Sequence, residues 1–193
     1  MWLTSPVIAA ALIAVRLDSN GPVFYLSRRV GKDGIEFDLL KIRTMYVMPK
    51  DSGPEVTSGS DERITHVGRF LRKTKIDELP QLLNVLKGDV SLVGPRPEAP
   101  KYVAKYPLEY KKILSVKPGL SDRATLEFVD EEEILAKSKD PEKTYIEEIL
   151  PQKIAYYLKY VEHQSMLEDL SIILGTVENV AKRSFQVLAG RIK

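Results

Sequence analysis

The chain of 193 residues contains no cysteine and only two histidines, His66 and His163. Without thiols it has no disulfide, no thiolate zinc site and no cysteine nucleophile. The two histidines lack ligand-like spacing, so a bound metal would be held mostly by oxygen, as magnesium and similar hard cations are. A P-loop, a Rossmann glycine fingerprint and a Ser/His/Asp arrangement are missing too. The apolar run from Met1 to Val15, interrupted by Thr4, Ser5 and Pro6, falls short of the about 20 residues that a spanning helix needs. It has no basic leader, and Arg16 and Asp18 stand where a signal peptide would be cleaved. A run of this length suits a buried core helix, an interfacial segment or a re-entrant one, with Ser5-Pro6 breaking or starting it.

Net charge is +2 but unevenly spread. Residues 1–125 hold 20 lysines and arginines against 14 acids, a net +6; residues 126–193 hold 9 against 13, a net −4. The first part suits an anion such as a nucleotide, a phosphate or a lipid headgroup; a solvated basic face accounts for the charge equally well. A nucleic-acid module would need aromatics interleaved with basic residues on a sheet or groove. Only "FYLSRRVG" hints at that, so nucleic acid is not an expected partner.

Periodicity predicts a mixed α/β (α+β), helix-rich single domain with a small β-hairpin or sheet. Strands are read over 23–31 and 35–45, with Ile35, Phe37, Leu39 and Ile42 on one side and "KDG" turning the chain. Residues 46–62 are polar and rich in breakers, hence a long loop. "THVGRFLRKT" reads as a helix packing Val67, Phe70 and Leu71. "DELPQLLNVLKG" reads as a helix from Asp77 to Lys87 stopped by Gly88. "DVSLVGPRP" is a short buried strand entering a stiff turn, 98–114 a helix broken at Pro107, and 116–128 a loop then a strand. An acidic helix and two amphipathic helices follow. Tyr102, Tyr106 and Tyr110 recur among lysines at helical spacing, which suits a membrane interface or a helix core equally. Tyr156-Tyr157 between Lys153 and Lys159 pose the same choice.

The segment "KTKIDELPQ" sets two carboxylates, Asp77 and Glu78, after a basic run. Asp77 as N-cap, Glu78 in the first turn and Pro80 where its missing N–H costs nothing make a sound helix start. That start also suits phosphate. Arg72 lies just upstream, and Arg96 sits in the stiff "GPRP" turn, where fixed guanidinium groups clamp phosphates bidentately. Adjacent carboxylates project differently, so they would divide roles such as nucleophile and metal ligand. A carboxylate can form a covalent intermediate with a phosphoryl group, and magnesium would offset the charge repulsion.

The segments "GPVFYLSRRVGKDGIEFDLLKIRTM", "RFLRKTKIDELPQLLNVLKGDVSLVGPRPE" and "VKPGL" resemble the bacterial sugar transferase family, the monotopic polyprenyl-phosphate phosphoglycosyltransferases. "YYLKYVEHQSMLEDLSIILGTVENV" resembles that family's closing helices. The resemblance implies transfer of a sugar-1-phosphate from a UDP-sugar to a membrane polyprenyl (undecaprenyl) phosphate with release of UMP. It implies Asp77 as the nucleophile that forms a covalent phosphosugar intermediate, Glu78 as its partner, and Mg2+ at both. Arg72 and Arg96 match phosphate-facing positions. Arg29, Lys41 and Arg43 also fall in family motifs, where a role as exposed strand charges fits as well. Ser5-Pro6 resembles the break that turns a hydrophobic helix back to the cytoplasmic face of the inner membrane. Residues 1–17 therefore read as a truncated remnant of that re-entrant helix, because the family carries another helical half before the break, and 18–193 as the catalytic domain. A homodimer is compatible with the resemblance. After "KPGL" many members continue with Thr-Gly, whereas this chain reads "SDRATLEFVDEEEIL". The sugar is thus unassigned, and Arg123 reads as a substrate-facing group or a solvated loop charge. A catalytically silent relative acting as an assembly partner is the competing reading.

Overall fold

The computed structural model describes residues 5–47, 56–57 and 61–190. Most of the loop predicted over 46–62 lies outside them.

Helix α1 (Ser5–Asp18) opens on Ser5 and Pro6. It buries Ala11 and Val15 against Ile42 and Leu71, while Val7, Ile13 and Leu17 stay exposed. Strands β1 (Phe24–Val30) and β2 (Glu36–Ile42) form the predicted antiparallel hairpin, with Phe24 opposite Ile42 and Val30 opposite Glu36. Lys32–Gly34 make its turn, with Asp33 and Gly34 at positive φ. The expected apolar face needs correction. Directly paired residues share a face, and Arg29 and Ser27 pair with Phe37 and Leu39, with Lys41 next along that face. Ile42 lies on the opposite face and Ile35 is 68% exposed. Arg43, just past β2, is buried: it donates to the Ser19 and Pro22 carbonyls, the Ser19 hydroxyl and the Met45 carbonyl. It is a latch between the end of α1 and the hairpin, not an exposed charge.

Helix α2 (His66–Thr74) starts at Thr65, whose hydroxyl accepts the Gly68 N–H at 2.9 Å, and the Asp18 carboxylate accepts the Val67 N–H at 3.0 Å. Leu71 is buried and Val67 half-buried; Phe70, expected inside, is 41% exposed. Lys75 closes the helix at φ 57°, donating its N–H to Arg72 and Leu71 carbonyls. A left-handed non-glycine residue costs about 1–2 kcal/mol, and here it redirects the chain. The next residues, Ile76–Gln81, form a 3₁₀ turn that runs into α3 (Leu82–Lys87), which ends at Gly88 with φ 86° as expected. Asn84 on α3 is buried; it accepts the Leu40 N–H and donates to the Asp38 carbonyl. It thereby seals the free edge of β2 and docks the 3₁₀ turn against it.

Strands β3 (Ser91–Val93) and β4 (Gly119–Ser121) pair in parallel. Gly119 N–H donates to Pro95 O at 2.8 Å and Gly94 N–H to Ser121 O at 3.1 Å. The two backbones approach so closely that a Cβ on Gly119 would overlap the Gly94 backbone. Gly119→Ala is expected to lower unfolding free energy by about 1–3 kcal/mol, measurable by denaturant titration; an unchanged midpoint would show that the strands can part without cost.

The remaining helices are α4 (Pro100–Val103), α5 (Pro107–Ile113), α6 (Arg123–Glu127), α7 (Glu131–Ala136), α8 (Pro141–Thr144), α9 (Leu150–Glu162) and α10 (Met166–Leu188). The break at Pro107 is as read, but 123–127 is helix, not strand: Asp122 is its N-cap, accepting the Thr125 N–H at 2.8 Å. A wide turn, Tyr145–Ile149, leads into α9, which buries Leu150, Lys153, Ile154, Tyr157 and Tyr160 at helical spacing. Leu150, Ile154 and Tyr157 pack with Ala99, Tyr102, Tyr110 and Tyr145 into the main core, while Tyr160 joins Val93 and Ile172 in a smaller cluster. The tyrosine question is thereby answered: Tyr102, Tyr110 and Tyr157 are core residues, and Tyr106 donates its hydroxyl to the Ile146 carbonyl. Among the described residues no helix is long and apolar enough to cross a membrane.

Candidate active site

Three chain segments converge on one carboxylate. The 3₁₀ turn presents Glu78, β2 brings Lys41 and the turn after β3 brings Arg96. Arg96 Nη2 donates to Glu78 Oε1 at 2.5 Å and Lys41 Nζ reaches the same oxygen at 3.3 Å. Burial alone would raise the Glu78 carboxyl, but Arg96, Lys41 and Lys75 outweigh it and hold the group well below the usual carboxylate range. Glu78 in turn raises the Arg96 guanidinium and fixes it protonated. Burial lowers Lys41 by more than Glu78 restores, with Arg96 and Arg29 adding repulsion.

Asp77 behaves oppositely. It is 6% exposed, and its Oδ1 is buried with no hydrogen-bond partner. The N-cap reading fails here: the cap position belongs to Lys75, and the 3₁₀ turn has no side-chain cap. Burial, then repulsion from Glu78, pushes Asp77 up to about 6, with Lys41, Lys75 and Arg72 restraining the rise. An ionisable oxygen left buried and unpartnered is destabilising, and such groups mark functional sites.

Of the predicted arginines, Arg96 contacts the pair through Glu78 and Arg72 lies near enough to act on Asp77, while Arg29 and Arg123 are engaged elsewhere. Arg72 is ion-paired to Glu132 yet near enough to lower Asp77. Arg29 donates to the Ser27 hydroxyl at 3.1 Å and lies 3.9 Å from Glu98 Oε2. Arg123 begins α6 and lines an open groove of about 490 Å³ with Leu126, Leu170 and Leu174. Among the described residues no cluster of three His, Asp or Glu side chains forms a metal cage. A hard cation held by one or two carboxylates plus substrate phosphate needs no such cage, and the unpartnered Asp77 oxygen beside Glu78 fits that donor set.

The sequence profile of the bacterial sugar transferases matches residues 1–183. This chain belongs to the bacterial sugar transferase family. It is 39% identical over 184 residues to the UDP-glucose:undecaprenyl-phosphate glucose-1-phosphate transferase of Caulobacter vibrioides, covering 92% of this chain and 64% of that protein. It is 35% identical over 183 residues to the UDP-N-acetylgalactosamine-undecaprenyl-phosphate N-acetylgalactosaminephosphotransferase of Aeromonas hydrophila, covering 92% and 40%. A glucose-1-phosphate transferase of Escherichia coli is 35% identical over 185 residues, covering 92% and 36%. The chain thus spans less than two thirds of the length of these relatives.

The sequence did not reveal the support beneath the arginine turn. Glu98, 5% exposed, accepts the Tyr145 hydroxyl at 2.8 Å and lies 3.7 Å from Lys153 Nζ, which also reaches Glu131 at 3.1 Å. Burial lowers Lys153, but Glu131, Glu98 and Asp122 outweigh it and keep it charged. The Glu98 carbonyl accepts the Val30 N–H at 3.0 Å, tying this turn to the hairpin. Position 153 carried a visible sign: a lysine in the apolar register of α9.

Proposed function

We propose that the chain transfers a sugar-1-phosphate from a UDP-sugar to polyprenyl phosphate and releases UMP, with Asp77 as nucleophile. The observation that carries this reading is the Asp77 oxygen, buried and unpartnered, beside a Glu78 already neutralised by Arg96 and Lys41. Glu78 is locked as an ion-pair partner, so it is poorly placed to attack; Asp77 has nothing to break before it reacts. Asp77 Oδ1 attacks the sugar-bearing phosphorus. The bond from that phosphorus to the bridging oxygen breaks, and the electron pair leaves with UMP. A polyprenyl phosphate oxygen then attacks the same phosphorus, breaking the acyl-phosphate bond and returning the carboxylate. Arg96 would stabilise the charge gathering on the phosphoryl oxygens, and burial excludes water that would hydrolyse the acyl phosphate. Asp77, with the Glu78 oxygen that Arg96 and Lys41 leave unengaged, would hold magnesium, which would neutralise charge on the diphosphate.

The relatives' named substrates, glucose and N-acetylgalactosamine linked to UDP, support the reaction class and leave two sugar candidates. The apolar exposed side of α1, with Val7, Ile13 and Leu17, supports attachment to one leaflet at the cytoplasmic face, Ser5-Pro6 turning the chain. A homodimer is compatible with this attachment. The test is UMP release from a panel of UDP-sugars with magnesium and undecaprenyl phosphate, in detergent or nanodiscs. One UDP-sugar is expected to give release that depends on the lipid phosphate. No release from any of them, with folded protein, would overturn the reading.

A further inference from the structure

The 3₁₀ turn leaves two buried polar atoms without partners, and they are complementary. Asp77 Oδ1 is an acceptor lacking a donor; Gln81 Nε2 is a donor lacking an acceptor. Gln81 is 2% exposed, among the most deeply buried side chains of the chain. The two residues are four apart on a 3₁₀ turn, where residues three apart eclipse, so their side chains leave it about a third of a turn from each other. They do not satisfy each other. Buried amides are nearly always hydrogen-bonded, and each exception calls for an explanation. The fold supplies the amide nitrogen with no acceptor, and a methionine has similar length and volume without the polar cost.

We infer that Gln81 is a catalytic residue whose amide N–H donates to a non-bridging oxygen of the phosphoryl group while Asp77 attacks its phosphorus. The inference rests on the transfer reading given above and adds a specific donor to it. A phosphoryl group answers both orphans together: an electrophilic phosphorus for the carboxylate and an anionic oxygen for the amide. Arg96 is shared with Glu78, so a neutral donor with no other partner adds to what Arg96 offers a developing oxyanion. A donor aimed where charge gathers strengthens in the transition state and contributes to kcat more than to binding.

The experiment compares wild type, Gln81→Met and Gln81→Glu. Initial UMP release is measured with UDP-glucose and UDP-N-acetylgalactosamine, and thermal unfolding is followed on the same samples. Gln81→Met is expected to lower kcat about 10²-fold with KM within about threefold, while its melting temperature is equal or higher, because an orphaned polar group has been replaced by an apolar one of similar shape. Gln81→Glu, which presents an acceptor to the phosphoryl oxygen, is expected to lose at least as much. Sugar-phosphate label trapped on the protein by acid quench, without lipid acceptor, should form more slowly in both variants. Three outcomes overturn the inference: kcat of Gln81→Met within threefold of wild type, a loss confined to KM, or a variant that no longer folds, which would make the amide structural. Wild type that releases no UMP from any UDP-sugar would instead bring down the transfer reading itself.

Discussion

Asp77→Asn is expected to abolish UMP release and, in the same molecule, to stabilise the fold at neutral and alkaline pH. Removing a covalent nucleophile costs on the order of 10⁴-fold or more. The stability gain follows from burial. With a folded value of about 6 against the ordinary 3.8, Asp77 binds more protons folded than unfolded between those two values. Its contribution to stability is therefore full below about pH 4 and is lost as pH rises through about 6. The difference amounts to about 1–3 kcal/mol at pH 8, and asparagine, carrying no charge, escapes it. Urea unfolding of both proteins in EDTA, at pH 4, 6 and 8, should show Asp77→Asn gaining on wild type as pH rises. Equal midpoints at pH 8 would mean that the carboxylate is solvated or partnered. The same titration bears on the reaction, because the attacking carboxylate is depleted below about pH 6.

Arg96→Met is expected to damage both fold and reaction, for a different reason. The substitution leaves Glu78 buried with Lys41 as its remaining direct partner. Breaking one side of a buried ion pair costs about 3–5 kcal/mol, chiefly because the surviving charge is stranded. UMP release should fall about 10²–10³-fold with loss of a fixed donor to the phosphoryl group. Arg96→Lys keeps the charge but not the planar fork, so it should recover stability better than rate. The double variant Arg96→Met/Glu78→Gln separates the two effects: with no stranded carboxylate, stability returns toward wild type while activity stays lost. If the double variant is as unstable as Arg96→Met, the stranded-charge account is wrong and the guanidinium matters through packing.

The local signals in the sequence were reliable where local forces decide. The hairpin, the stop at Gly88, the break at Pro107 and the short strand at 91–93 follow from turn chemistry and period, although that strand, read as buried, leaves Leu92 50% exposed. The Asp77-Glu78 pair was visible as a candidate because two acids after a basic run are unusual. Its geometry was not visible. A helix N-cap at Asp77 is the natural local reading, but Lys75 adopts a left-handed conformation to close α2, which lysine's own preference does not signal. Residues 123–127 looked like a strand because Thr125, Leu126 and Phe128 favour one; the Asp122 cap overrides them. Glu98 and Lys153 are far apart in sequence, and no local pattern can pair them. The tyrosines had no local answer because a core and a membrane interface select the same residues; only the tertiary contacts of Tyr102, Tyr110 and Tyr157 separate the two.

Glu78 meets Lys41 and Arg96 only when the hairpin, the 3₁₀ turn and the parallel β3–β4 pair have all docked. Parallel pairing across 28 positions closes a longer loop than the hairpin does, so it is the slower contact to form. A chain arrested before that step has its hairpin but no guanidinium on Glu78 and no enclosure around Asp77. Its aspartate is then an ordinary solvated acid. Under the proposed transfer, only the fully docked molecule is expected to react.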